Sequence, residues 1–235
     1  MIKNKKPFSM GVVLAMTFLG VLLMIFSPVF KGQNGLMFAD DSFNKLAKGS
    51  SYFIPKVNEN LAKQAGKQFT ATVKFDDPEQ VENTAKLYTT AGATVEVAGT
   101  ELKISGDLSS VLKSAVNDAD AMYNNDGAAV SGKYGYDEKQ ALKNWHYSLG
   151  KVEKGMKRDL LVADAKAVNE VMKKAIEPGY NFYKIDANKV ADHAGMLTGL
   201  LVFYVAYTMW WGFAIFYLFE GIGLTMKKSK VKKEA

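Results

Sequence analysis

Few side chains in this sequence are of a type that could carry out chemistry, and the two histidines are the first to consider. His146 follows Trp145 in an amphipathic stretch, and His193 lies two residues before a long uncharged run. An imidazole can bind a metal or exchange a proton near neutral pH, but a metal site needs several converging ligands. Neither histidine has a second histidine or a cysteine near it. We expect His146 to be a polar surface residue, and His193 is a candidate contact for a metal or a quinone.

Two stretches match known ligand-binding motifs only in part. Residues 127–133 fit the first seven places of a P-loop, but Tyr134 stands where the Mg²⁺-binding Ser or Thr is needed. The acidic residues between 118 and 126 suggest calcium, yet alignment on Gly127 puts Met122 in the first ligand place of an EF-hand. HExxH, GxSxG and dinucleotide fingerprints are absent, and there is no cysteine. The sequence therefore predicts no catalytic residue, metal, cofactor or nucleotide, and a protein that is not an enzyme.

Two uncharged runs, residues 7–30 and 195–219, dominate the chain. An apolar helix of about 20 residues spans the roughly 30 Å core of a bilayer, so both runs predict transmembrane helices. The first run lacks the small residues that signal peptidase requires, which indicates an uncleaved helix. Glu220 ends the second run as the sole carboxylate in either. It is a candidate functional residue, although pairing with a terminal lysine such as Lys227 is the favoured interpretation.

The second run is unusually aromatic, and its tryptophan pair, Trp210 and Trp211, falls near the middle of the predicted span. An unpaired indole N–H is costly at that depth, so this pair and Tyr207 predict contact with another helix. The alternatives are an anchor tilted in the bilayer and contact with a bound quinone or lipid. Gly195 and Gly199 form a small-xxx-small pair that could let two helices approach closely. These five residues are the predicted partner-binding site in the membrane.

Lysines precede the first run and follow the second. Because positively charged residues stay on the cytoplasmic side of a membrane, this distribution predicts that both termini are cytoplasmic. Residues 31–193 would then be extracytoplasmic, and the expected location is a bacterial inner membrane with this part in the periplasm. That segment holds 22 basic and 22 acidic residues, so the net charge of +6 reflects topology and no nucleic-acid partner is predicted. The flanking lysines are Lys3, Lys5, Lys6, Lys227, Lys228, Lys230, Lys232 and Lys233.

The most regular soluble segment is residues 69–124. Residues 69–75 alternate in polarity as a half-buried strand does, a helix is expected from Pro78, and two strands flank a turn at Gly99. Asp107 can cap a second helix. The resulting βαββα order resembles the small ring-building modules of oligomeric secretion and sporulation assemblies, and also many unrelated α+β domains.

A helical pair is expected after a polar linker. Its apolar stripe slips by one residue near 155–159, which predicts a joint between two helices; one long irregular helix is the alternative. The helices should end at Pro178-Gly179. We expect the exposed side of residues 137–176 to bind a soluble partner. The stripe consists of Leu142, Trp145, Leu149, Val152 and Met156.

Together these patterns predict an α+β membrane protein with two transmembrane helices flanking an extracytoplasmic domain, which contains a βαββα unit and a helical hairpin. The segments are a cytoplasmic tail (1–6), the first transmembrane helix (7–30), juxtamembrane helices (31–68), the βαββα unit (69–124), a linker (125–136), the helical hairpin with its lead-in (137–193), the second transmembrane helix (194–220) and a second cytoplasmic tail (221–235).

The function that fits this layout is a non-enzymatic accessory or scaffold subunit of a membrane complex. Its partners would be the lipid bilayer and either other membrane subunits or further copies of the chain. One alternative is an extracytoplasmic sensor, which would have to signal through another protein because the tails are short. The other is a subunit of a respiratory complex that contacts a quinone or haem.

Overall fold

The computed structural model describes residues 2–30 and 32–224, and the chain divides into two compact units. One comprises Met1–Phe43 with Lys189–Ala235, and the other comprises Asn44–Asn188. We call them the helix-pair unit and the α+β unit. Most of the predicted second tail, including its five lysines, lies outside the described residues.

The helix-pair unit is built on two long helices, α1 (Lys5–Phe26) and α10 (Ala194–Ile222). Their 22 and 29 residues correspond to about 33 and 44 Å at 1.5 Å per residue, and both are long and apolar enough to cross a membrane. A single 3₁₀ turn, Val190–His193, precedes α10. The prediction that the first helix reaches residue 30 is wrong. Ser27, which precedes Pro28, is extended and ends the helix, as residues before proline commonly do.

Two shorter helices follow α1, and both begin where local sequence signals place them. The side chain of Asn34 accepts a hydrogen bond from the Met37 backbone N–H (2.8 Å) at the start of α2 (Gly35–Ser50). Pro55 lies in the first turn of α3 (Ile54–Ala62). The division between the two units falls within α2.

The α+β unit contains a three-stranded antiparallel sheet in which the last strand lies in the middle. Gly99 has a positive φ of 60° in the hairpin turn, and Asp107 accepts a hydrogen bond from the Ser110 N–H (2.7 Å) at a helix start. The predicted βαββα order is confirmed. Its elements are β1 (Gln68–Lys74), α4 (Pro78–Thr90), β2 (Thr94–Ala98), β3 (Glu101–Asp107) and α5 (Leu108–Tyr123).

The predicted linker at 125–136 is instead largely helical. Asp126 caps this helix by accepting from the Ala129 N–H, and Val130 and Tyr134, four residues apart, are buried. Glycine and polar residues hid this short buried face. The remaining elements are α6 (Gly127–Tyr134), α7 (Glu138–Arg158), α8 (Val162–Val171), a π-helical segment (Met172–Ile176) and α9 (Glu177–Asn181).

The helices α7 and α8 form a hairpin, and all five residues of the predicted stripe on α7 are buried. The joint lies at residues 159–161, where Leu160 adopts a positive φ of 61°. The expected stop at Pro178-Gly179 is wrong, since helical structure continues to Asn181. Pro178 lies in the first turn of α9, directly after the π-helical segment, where a missing N–H is tolerated.

A buried carboxylate joins three helices inside the α+β unit. Asp118 on α5 accepts hydrogen bonds from the Tyr134 hydroxyl (2.5 Å) on α6 and from the Trp145 indole (2.8 Å) on α7. The Lys133 ammonium supplies a third bond at 2.8 Å, and only 4% of the surface of Asp118 is exposed. The charge is thus compensated by three donors, which is the condition for burying it at tolerable cost.

A buried lysine connects the two ends of the α+β unit. Lys48, near the end of α2, donates to the backbone oxygens of Phe182 (3.1 Å) and Ile185 (2.6 Å) and to the side chain of Asn125 (3.1 Å). Burial lowers the pKa of this ammonium, and the nearby Asp186 carboxylate partly offsets that effect. We call Lys48 and its three acceptors the Lys48 site.

Replacing Lys48 by Met should destabilise the α+β unit. The Lys48→Met side chain keeps most of the apolar stem but removes three hydrogen bonds from a charged donor, at a cost of about 2 kcal/mol, although each of the three oxygens keeps a second donor. A thermal melt followed by circular dichroism should show a loss of about 5 °C. The matched control is Lys56→Met on α3, where the lysine is exposed. Equal melting temperatures for the two variants would contradict the proposed role of the Lys48 site.

Ionisation of buried tyrosines should limit the stability of the α+β unit at high pH. Burial raises the pKa of Tyr136 to about 12, and burial also raises the pKa values of Tyr88 and Tyr134 well above the ordinary value near 10. Because the folded state holds these protons more tightly, the stabilisation is complete below pH 10 and is lost as the pH rises towards 12. Absorbance at 295 nm should show some of the 11 tyrosines ionising only as the fold melts. Ionisation of all of them near pH 10 with unchanged circular dichroism would refute this.

Candidate functional site

The aromatic residues of α10 are arranged around an antiparallel contact with α1. The Trp210 indole N–H donates to the backbone oxygen of Leu14 (3.1 Å). The ring of Tyr207 stacks on that of Phe18 with centroids 4.1 Å apart, and Trp211 lies 4.7 Å from the same ring. The helix contact that the sequence predicts for Tyr207 and Trp210 is therefore made within the chain. We call this contact the helix-pair seam.

Glycines allow the two helices of the seam to approach closely. A methyl group at Gly11 would lie 2.7 Å from the backbone nitrogen of Leu218 and 3.1 Å from the backbone oxygen of Ala214. A methyl at Gly221 would lie 2.6 Å from the Cα of Phe8. Both positions require the absence of a side chain, so close backbone packing holds the pair together.

The start of α1 also caps the end of α10. The backbone N–H groups of Lys3 and Asn4 both donate to the Gly221 oxygen at 2.9 Å, and the Asn4 side chain donates to the Glu220 backbone oxygen at 3.1 Å. These bonds satisfy carbonyl groups that a helix C-terminus leaves without partners. Residues 2–6 and 220–224 therefore lie at the same end of the pair.

Other residues proposed from the sequence lie away from the seam. Gly195 and Gly199 have open space where a side chain would project, and both are exposed. His193 lies at the N-terminal boundary of α10 and makes no capping bond through its side chain. The Glu220 carboxylate is partly exposed and makes no ion pair within the described residues, and Lys227 lies outside them.

A second candidate site lies on the α+β unit, on the exposed side of α7 where it faces the π-helical segment and α9. His146 and Glu177 meet across it, with 3.2 Å between Nε2 and Oε1. Residues 31 positions apart give no sequence signal for such a pair. A cavity of about 340 Å³ here is the first of two parts of a surface that we call the α7–α9 groove. This first part is lined by Leu142, Lys143, His146, Ile176, Glu177, Tyr180 and Asn181.

A cavity of about 430 Å³ continues the groove along α7 and shares His146 and Glu177 with it. The apolar side chains of the first part include Leu142, Ile176 and Tyr180. A π-helical segment in one wall is notable because such insertions recur at functional sites. The remaining residues of the second part are Tyr147, Gly150, Lys151, Glu153, Lys154, Asn169, Met172 and Lys173.

The described residues contain no group of three or more His, Asp or Glu side chains that could hold a metal ion. The segment 127–133, which partly matches a P-loop, forms most of α6. A scan against profiles of protein families finds no match, and searches of curated proteins and of solved structures find none either. The helix-pair seam and the α7–α9 groove are therefore the two candidate functional sites among the described residues.

Adding a methyl group at either seam glycine should separate the helices. Gly11→Ala or Gly221→Ala should lower the thermal stability of the purified protein in detergent by at least about 5 °C, because backbone atoms would have to move. Gly20→Ala and Gly199→Ala are the matched controls, since neither methyl would meet another atom within 4 Å. Equal stability of all four variants would show that the seam does not form as described.

Proposed function

We propose that this protein is a non-enzymatic, membrane-anchored accessory or scaffold subunit that holds partner proteins in a membrane complex. In this proposal α1 and α10 cross the bilayer as an antiparallel pair, and residues 31–193 are extracytoplasmic. The exposed apolar side chains of both helices support insertion, because such a surface is unfavourable in water. They include Met16, Leu23, Leu201, Val202 and Phe213.

The indole N–H of Trp211 is the group that best supports the proposal of a partner in the membrane. The indole of its neighbour Trp210 is satisfied by Leu14, whereas Trp211 is 38% exposed and its N–H has no acceptor among the described residues. Trp211 lies near the middle of α10, where a bilayer offers neither water nor a polar headgroup. A carbonyl or hydroxyl group on a neighbouring transmembrane helix would supply the missing acceptor.

The hydrogen bonds between the start of α1 and the end of α10 support the proposed orientation in the membrane. Lys3, Lys5 and Lys6 lie at the same end as Gly223, and more lysines follow in sequence. A concentration of lysines at one end favours the cytoplasmic side under the positive-inside rule. Residues 31–193 would accordingly be extracytoplasmic, in the periplasm of a bacterium.

The proposal predicts that Trp211→Phe releases partners while leaving the protein in the membrane. The change keeps an aromatic ring on Phe18 but removes the N–H donor, so the complex should lose most of its partner subunits during mild extraction. Native mass spectrometry of the extracted protein measures this directly, and carbonate extraction tests membrane insertion.

Met209→Leu is the matched control, because Met209 is also exposed on α10 but has no donor. It should retain the assembly. A wild-type protein extracted as a lone polypeptide, or an intact assembly in Trp211→Phe, would contradict the proposal. A Soret band or extractable quinone in the wild-type complex would instead favour a cofactor-associated subunit.

A further inference from the structure

The α7–α9 groove has the dimensions of a peptide-binding site. Its two parts share His146 and Glu177 and follow α7 from Leu142 to Lys154, about 18 Å at 1.5 Å per residue. That length accommodates about three turns of helix or five residues of extended chain. Cavities of about 340 and 430 Å³ hold a few side chains each, which suits a segment of a partner.

The unpaired charge in the groove is positive. Lys143, Lys151 and Lys154 on α7 and Lys173 in the π-helical segment make no ion pair within the described residues. Both acidic lining residues already have basic neighbours. Glu153 lies 2.6 Å from Lys157, and Glu177 lies 3.2 Å from His146. The groove is thus basic although residues 31–193 are neutral as a whole.

Two of these lysines lie against aromatic rings at the edges of the groove. The Lys143 ammonium lies 5.8 Å from the centre of the Tyr180 ring, and the Lys151 ammonium lies 5.0 Å from that of Tyr147. Cation–π attraction at these distances favours the observed positions without neutralising the charge. The same two rings provide apolar surface in the groove, since Tyr147 is 37% exposed and Tyr180 is half-buried, whereas Ile176 and Met172 are buried.

We infer that the α7–α9 groove binds an acidic amphipathic segment of a partner protein. Carboxylates on the segment would pair with the four lysines, and apolar side chains at helical spacing would pack on the rings of Tyr147 and Tyr180. Charge complementarity together with two accessible tyrosine rings favours this occupant over a uniformly charged polyanion, which has no apolar group to pack against those rings. The inference rests on the proposed partner-holding function and specifies one soluble surface for it.

Binding is tested with the purified full-length chain in neutral detergent and a fluorescent twelve-residue peptide of Leu and Glu in helical amphipathic order. Fluorescence anisotropy should show saturable binding that weakens as salt is raised, because the contacts are partly ionic. Peptides with Lys in place of Glu, or Ser in place of Leu, should bind at least tenfold more weakly. Empty micelles correct for partitioning into detergent. The inference would be overturned if the three peptides bound equally well. It would also be overturned if a sulfated oligosaccharide displaced the Leu/Glu peptide and bound as tightly.

Charge reversal locates the site. Lys143→Glu combined with Lys173→Glu should weaken binding of the Leu/Glu peptide at least tenfold without changing the melting temperature. The matched control reverses Lys56 and Lys113, which are exposed outside the groove. Unchanged binding in the first variant, or equal loss in both, would refute the site. If the groove test fails but the native complex is still isolated intact, the scaffold proposal stands, because that proposal is tested separately through Trp211.

Discussion

The α+β unit depends on one buried ammonium group. Lys48 has three N–H donors and meets three oxygens, two of them backbone carbonyls of the segment that leaves the unit. Nearby, the Asn188 N–H donates to the Lys45 oxygen at 3.0 Å, and Gly49 leaves room for the Asn188 backbone. A charge this deeply buried is tolerable only when its donors are satisfied, so the positions of its acceptors are tightly constrained. The first and last segments of the unit are held side by side as a result.

Sequence patterns anticipated the elements whose signals are local. Alternation gave the strand at residues 69–75, and three-four spacing gave the buried stripe that includes Trp145, because each pattern reports one buried face. They failed for α6, where glycine and polar residues concealed a short face formed by Val130 and Tyr134. They also failed at Pro178, since a preceding π-helical segment cannot be recognised from propensity.

The candidate sites were less predictable because they depend on pairings across long separations. The tryptophan pair was identified, but consecutive residues on a helix point about 100° apart, so only one indole N–H could face α1. Which of Trp210 and Trp211 did so depended on the glycines that fix the seam. For the groove, the sequence predicted only that a partner binds the exposed side of residues 137–176. Its basic character arises because Glu153 and Glu177 are engaged by neighbours, which composition does not reveal.

The adjacency of Lys45 and Asn188 has an architectural consequence. A unit whose two ends meet through a backbone hydrogen bond has the geometry of an inserted module, like domains that are accommodated within a loop of a host fold. Joining these ends directly would close the α+β unit into a circle without displacing its core. The same geometry would let a short loop replace the whole unit, so that a pair of long helices and a compact α+β unit are the two natural parts of this chain.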